Sequence, residues 1–216
     1  MIYDLFPTKV LIKDTELTDQ QLFDLDVAIQ AIFASYEAMT GSHVTSGENS
    51  MPLFTEENLR TFPVLQDLRN IFIDGFVELG LSNKQNELKE DTRKKIEQLV
   101  DNHAGRLPIM RKGDYKQTHT HPGTAAFGIF YLTDVDNEKD GGKLVLRNPA
   151  FHNTPAYGES QRFEVETKAG RLVIAPSYIW HEVTPYYGDE QRVTVVSNLS
   201  YMQENYVDIF ADNDLD

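Results

Sequence analysis

The residues KQTHTHPGTAAFGIFYL, positions 116–132, carry two signals at once. Along an extended strand, residues two apart point to the same face. On that period Phe127, Ile129 and Tyr131 share one face of a strand expected over 126–132. His119 and His121 stand two apart on a strand expected over 116–121, so both can reach one metal ion. Pro122 and Gly123 mark that strand's end.

The same texture continues downstream, with turn clusters at 111–114, 134–142 and 148–160 between short apolar runs. Strands are expected at 107–110, 116–121, 126–132, 143–147, 162–166, 171–175, 182–186 and 192–199. So many short strands in about 95 residues predict a mainly β, two-sheet jelly roll, a double-stranded β-helix whose interior holds a small ligand. Leu172 and Ile174 share a face in the same way that Phe127 and Ile129 do. The loop at 148–160, rich in small polar residues, has the composition of a lid.

Upstream of Gly105 the apolar period is helical instead. Leu22, Leu25, Ile29, Ile32, Phe33 and Tyr36 line one face of a helix starting at Thr18, with Gln21 placed to complete a capping box. A second helix begins at Thr55 or Pro63, buries Leu65, Leu68, Ile71, Phe72, Phe76 and Leu79, and stops at Gly80. A third, more charged, covers about 88–100. The organisation expected is one domain over 1–216, with a helical buttress at 1–104, the roll at 105–200 and an acidic tail at 201–216.

Composition narrows the function. The 216 residues include no cysteine, which excludes disulfides, thiolate metal sites and cysteine nucleophiles. A net charge of −14 repels phosphate backbones, so no nucleic-acid partner is expected. The basic stretch 93–95 lies among acids and reads as a solvated helix face. No apolar run of about 18 residues and no leader pattern occurs, so a cytoplasmic chain without a membrane partner is expected.

A third histidine, His181, follows in the run APSYIWHEV, about sixty residues on. A jelly roll brings early and late strands together at its mouth, where His119, His121 and His181 can meet. Arg192 lies eleven residues past His181, and Thr194 shares its strand face. Asn198 lies six residues past Arg192 on that same face. His43, His103 and His152 have no partner spacing and are read as non-ligands.

The run HTHPGTAAFGIFYLTDVD (119–136), the hairpin GGKLVLRNP (141–149) and the closing AGRLVIAPSYIWHEVTPYYGDEQRVTVVSN (169–198) resemble the iron(II)- and 2-oxoglutarate-dependent dioxygenases, especially their prolyl-hydroxylase-like branch. The opening LFPTKV (5–10) is similar to a poorly characterised subfamily of bacterial and phage members. The resemblance implies Fe(II) held by His119, His121 and His181, with 2-oxoglutarate and O2 as co-substrates. It gives Arg192 the distal carboxylate of 2-oxoglutarate, a role suited to its paired guanidinium donors. Thr194 and Tyr131 would add hydroxyls at that carboxylate, and Asn198 would touch the oxo acid or the prime substrate. The implied substrate is a peptide side chain or a small metabolite. Oligomeric state is not written in the sequence.

Two features depart from the family pattern. The second position of its histidine-x-acid pair is His121 here, so the third ligand is either this imidazole or a loop acid such as Asp114 or Asp140. A tyrosine often found upstream is replaced by Ile109 or Met110, with Tyr115 nearby. A rival resemblance also exists, because Gly113 and Gly170 precede the histidines at spacings similar to those of cupins. That would make the chain a cupin-type metal enzyme without 2-oxoglutarate, or a non-catalytic ligand-binding roll. Against it, no acid follows His121 at the cupin spacing, and a cupin has no need of Arg192.

Overall fold

The computed structural model describes residues 8–40, 53–81, 90–100, 109–149 and 162–200. Residues 5–7, His43, His103, His152, the strand start at 107–108, most of the 148–160 loop and the acidic tail lie outside them.

Where the apolar period is helical, the chain is helical. α1 (Asp19–Thr40) opens on the expected capping box: the Thr18 N–H donates to Gln21 Oε1 at 3.0 Å, and the Gln21 N–H donates to Thr18 Oγ1 at 3.3 Å. Both candidate starts of the second helix are used. α2 (Glu56–Thr61) is capped by the Thr55 side chain, and α3 (Val64–Leu81) begins just after Pro63. α4 (Glu90–Leu99) completes the helical layer.

Among the described residues there are nine strands: β1 (Leu11–Asp14), β2 (Ile109–Met110), β3 (Lys116–His119), β4 (Thr124–Tyr131), β5 (Leu144–Arg147), β6 (Arg162–Val165), β7 (Arg171–Pro176), β8 (His181–Val183) and β9 (Arg192–Ser200). A single-turn helix, α5 (Asn137–Asp140), sits in the turn cluster before β5. One sheet has the order β1-β7-β4-β9-β2 and the other β3-β8-β5-β6, with antiparallel pairing throughout. This is the jelly roll, with its helices behind the five-stranded sheet.

Strand alternation separates two cores. Phe127, Ile129, Tyr131, Val173, Ala175 and Val196 face Leu144, Leu146 and Val165 of the smaller sheet. Phe130, Leu172, Ile174, Val193 and Val195 face Leu25, Ile29, Leu65, Phe72 and Phe76 of the helices. Two glycines set the depth of the second contact. A Cβ at Gly128 would stand 2.6 Å from Ile174 Cδ1 and 2.8 Å from Phe72 Cδ1, and one at Gly75 would stand 2.7 Å from Leu172 Cδ2. Gly128→Ala should therefore destabilise the fold by roughly 1–3 kcal/mol, the cost of overpacking a tight core. An unchanged denaturation midpoint would refute that.

β1 was not expected from the sequence, because LIKD has too few residues to show a period. Its pairing partner identifies it. Asp14 stands opposite Arg171 in register, accepts from Arg171 Nε at 2.7 Å and from Lys168 Nζ at 2.6 Å. The Arg171 hydrogen bond, followed by that of Lys168, holds the Asp14 carboxyl down at about 2, against an ordinary 3.8. A depressed carboxylate stabilises the fold above its unfolded pKa, and that contribution fades as pH falls from about 4 towards 2. Asp14 is 42% exposed, so screening limits the effect to about 1 kcal/mol or less. Asp14→Asn should lower the melting temperature at pH 7 and lower it much less at pH 2. Among the described residues, no helix is long and apolar enough to cross a membrane.

Candidate active site

β3 and β8 place His119 opposite His181 in register. His121, expected on β3, lies two residues beyond its end. Pairing stops at the His119–His181 pair, Pro122 has no N–H to extend the ladder, and Gly123 turns the chain at φ 80°. Backbone contacts fix His121 instead. Its N–H donates to the Ser177 carbonyl at 3.1 Å, and its own carbonyl accepts from Thr124 Oγ1 at 2.8 Å.

The three rings still converge. Their centroids are 4.3 Å apart for His119 and His181, 5.1 Å for His121 and His181, and 5.4 Å for His119 and His121. One ligating atom from each lies within 4.8 Å of the others. Neither loop acid joins this group: Asp114 Oδ2 accepts from the Arg111 N–H at 2.8 Å, and Asp140 lies 3.9 Å from Lys139 Nζ.

Hydrogen bonds orient each ring through Nδ1. His119 Nδ1 lies 2.8 Å from the Gln117 carbonyl, His181 Nδ1 lies 3.0 Å from the Ile179 carbonyl, and His121 Nδ1 lies 2.7 Å from Asn198 Oδ1. A carbonyl oxygen only accepts, so Nδ1 carries a proton, and in the neutral ring that leaves the lone pair on Nε2. That is the arrangement of a metal-binding histidine. Burial, opposed by the Ile179 carbonyl and aided by His119 and His121, pushes the His181 pKa down to about 3. Its imidazole is neutral. Three imidazole nitrogens fit a first-row metal such as iron(II).

Around the triad the strands are braced from both sides. Phe127 stacks on His121 at 4.7 Å and 14°, and on His181 at 4.2 Å and 20°. On the opposite face of β8, Glu182 accepts from Arg147 Nη2 at 2.8 Å and lies 3.5 Å from Arg162 Nη2.

The inner face of the larger sheet is built in rows. Ala175, Phe127 and Asn198 form the row at the histidines, and Val173, Ile129 and Val196 form an apolar row behind it. Tyr131 and Thr194 pair in the next, with Arg192 two residues further along β9. Arg192 is only 2% exposed. Its Nε donates to the Gly142 carbonyl at 3.0 Å, its Nη1 reaches Met110 Sδ at 3.4 Å, and its guanidinium carbon lies 5.3 Å from the Tyr131 ring centre. No carboxylate pairs with it among the described residues. Tyr131 is fully buried, its hydroxyl has no hydrogen-bond partner among the described residues, and burial raises its pKa.

Several neighbours escaped the sequence reading. Phe127 was assigned to an inner face but not to the histidines, because stacking depends on two strands that pair only in the fold. The Gly142 carbonyl leaves no side-chain signature at all. Gly142 itself has φ 71°, and a Cβ there would stand 3.2 Å from Arg192 Cδ. At the upstream departure, Met110 meets Arg192 whereas Ile109 joins the helix-side core, and Tyr115 is 57% exposed. The cupin-like glycines mark turns: Gly113 has φ 95° and Gly170 has φ 77°.

Residues 107–198 match the model of a family described as putative 2OG-Fe(II) oxygenases. No curated protein matches the sequence. Among solved structures, the chain is similar to a prolyl-4-hydroxylase from Pseudomonas putida at 16% identity, over 91% of this chain and 90% of that one, with a TM-score of 0.53. HygX from Streptomyces hygroscopicus, solved with nickel and 2-oxoglutarate bound, gives 10% identity, 92% and 85% coverage and a TM-score of 0.57. A Trichoplax adhaerens prolyl hydroxylase in complex with a hypoxia inducible factor peptide fragment gives 13%, 88% and 83%, and 0.54. At these identities the structural likeness is one of fold. The family match covers 92 of the 216 residues and runs through all three histidines and Arg192, so this part of the chain is similar to the iron(II)- and 2-oxoglutarate-dependent oxygenases, and the fold is that of the prolyl hydroxylases among the similar structures.

Proposed function

We propose that the chain hydroxylates a peptide side chain or a small metabolite, with 2-oxoglutarate converted to succinate and CO2, and with iron(II) held by His119, His121 and His181. Bound iron(II) supplies the oxygen-activating chemistry, and the protein's part is to hold the reactants in place. The reading rests chiefly on Arg192. A guanidinium buried without an anionic partner is costly, and burial accordingly pushes its pKa down. The Tyr131 ring, the Gly142 carbonyl and the Met110 sulfur offset only part of that cost. A carboxylate arriving from the co-substrate would complete the pair, with Tyr131 and Thr194 at hand as hydroxyl donors. The row of Val173, Ile129 and Val196 keeps the intervening space dry, which strengthens both polar ends.

The prime substrate would approach along the facing sheet. His119, His181, Leu146 and Phe163 stand in register across β3, β8, β5 and β6 on the inward face. Phe163 is nevertheless 57% exposed, so this row opens to solvent at the β6 edge and offers an apolar wall there.

Anaerobic addition of iron(II) and then 2-oxoglutarate should produce the visible charge-transfer band of an oxo acid chelated to iron. Metal binding without any such band would return the chain to the cupin-like reading. Succinate formation that depends on a candidate substrate would then identify what is hydroxylated.

A further inference from the structure

We infer that Asn198 is a positioning residue of the metal centre, its side-chain carbonyl holding His121 in the tautomer and rotation that turn Nε2 towards the ion. The inference rests on the three-histidine site proposed above. It differs from the role that the family resemblance gives Asn198, contact with the oxo acid or the prime substrate.

The three histidines are not held alike. His119 and His181 each place Nδ1 on a main-chain carbonyl two residues earlier, Gln117 and Ile179, so the local backbone fixes their rings. His121 lies beyond β3 and finds its Nδ1 partner 77 residues away, on the side chain of Asn198. Asn198 is itself only 8% exposed and stands opposite Phe127 in the β4–β9 register. Phe127 stacks on the His121 ring at 14°. The stack sets the plane of the imidazole, and the Asn198 hydrogen bond sets its rotation within that plane. Together they turn Nε2, and not Nδ1, towards the other two histidines.

The chemistry of position 121 requires such a partner. A carboxylate there could bind metal through either oxygen and would need no tautomer chosen for it. An imidazole off the end of a strand binds through Nε2 only when Nδ1 holds the proton and the ring faces inward. His121 and Asn198 therefore act as one unit, in which the asparagine contributes an acceptor and not a donor.

Titration of the metal-free full chain with Co(II), followed by calorimetry and by the visible spectrum, tests this without turnover. Asn198→Ala should weaken Co(II) binding roughly 10- to 100-fold, the usual effect of losing an outer partner of a metal-bound histidine. Asn198→Asp keeps the acceptor and loses the donor, and it should restore binding to within a few-fold of the parent. In a His121→Asp background, Asn198→Ala should cost nothing further. Undiminished binding by Asn198→Ala would overturn the inference. So would an aspartate variant as weak as the alanine one, which would mean that the amide N–H is what matters. An equal loss in the His121→Asp background would also overturn it, because the effect would then not pass through His121. Failure of the parent chain itself to bind Co(II) would instead refute the three-histidine site.

Discussion

Arg192→Ala should weaken 2-oxoglutarate binding by about 2 to 5 kcal/mol, the range for losing one partner of a buried charge pair. Metal affinity should hardly change, since Arg192 lies three rows of the sheet away from the histidines. Arg192→Lys should rescue only partly, because an ammonium lacks the paired donors and cannot reproduce both the Nε contact with Gly142 and a fork on the carboxylate. Calorimetry on the Mn(II)-loaded chain without oxygen measures this directly. A 2-oxo acid lacking the distal carboxylate provides the control, since its weaker binding should not respond to the substitution. Equal affinity of the alanine variant and the parent for 2-oxoglutarate would mean that the distal carboxylate is held elsewhere.

The second large effect belongs to His121. His121→Ala should cut metal affinity by more than the roughly 10- to 100-fold typical of an outer partner, because a ligand is lost and water must fill its place. His121→Asp should retain iron, since it recreates the two-histidine, one-carboxylate set. The backbone at position 121 is fixed by Ser177 and Thr124 and not by its side chain, so both substitutions leave the loop in place. Equilibrium dialysis with Fe(II) under anaerobic conditions compares the two. Parent-like affinity in the alanine variant would remove His121 from the coordination sphere.

Sequence patterns made much of this arrangement readable where the pattern is local. Alternation over 126–132 assigned Phe127, Ile129 and Tyr131 to one face, and all three belong to the core between the sheets. The helical period ahead of Gly105 assigned Leu25, Ile29, Phe72 and Phe76 to a buried side, and they pack behind the larger sheet. The capping box at Thr18 needed only four residues to be recognised. The failures came where partners are distant. LIKD became a strand because β7 offered an edge and Arg171 an ion pair, neither visible within four residues. The strand period was extended through His121, although the β3–β8 ladder ends at His119 and the turn at Pro122–Gly123 takes over. Asn198 was placed on the inner face of β9 by alternation, yet its partner His121 could be found only by knowing which strands stand side by side.

β4 has two audiences. Odd-numbered positions such as Phe127 look towards the histidines, whereas Gly128 on the reverse side is pressed by Phe72 and Ile174 to a spacing that admits no methyl group. A peptide plane shared by a ring-stacking residue and a keyed contact cannot shift on one side alone. The helices thus act as a jig that aligns the three histidines from behind. A roll cut free of them would expose Phe130, Ile174 and Val195 and lose the surface against which Phe127 is registered. Engineering that aims at a minimal scaffold of this fold should therefore retain α3, and efforts to change the site can begin at the helix–sheet seam without touching a single histidine.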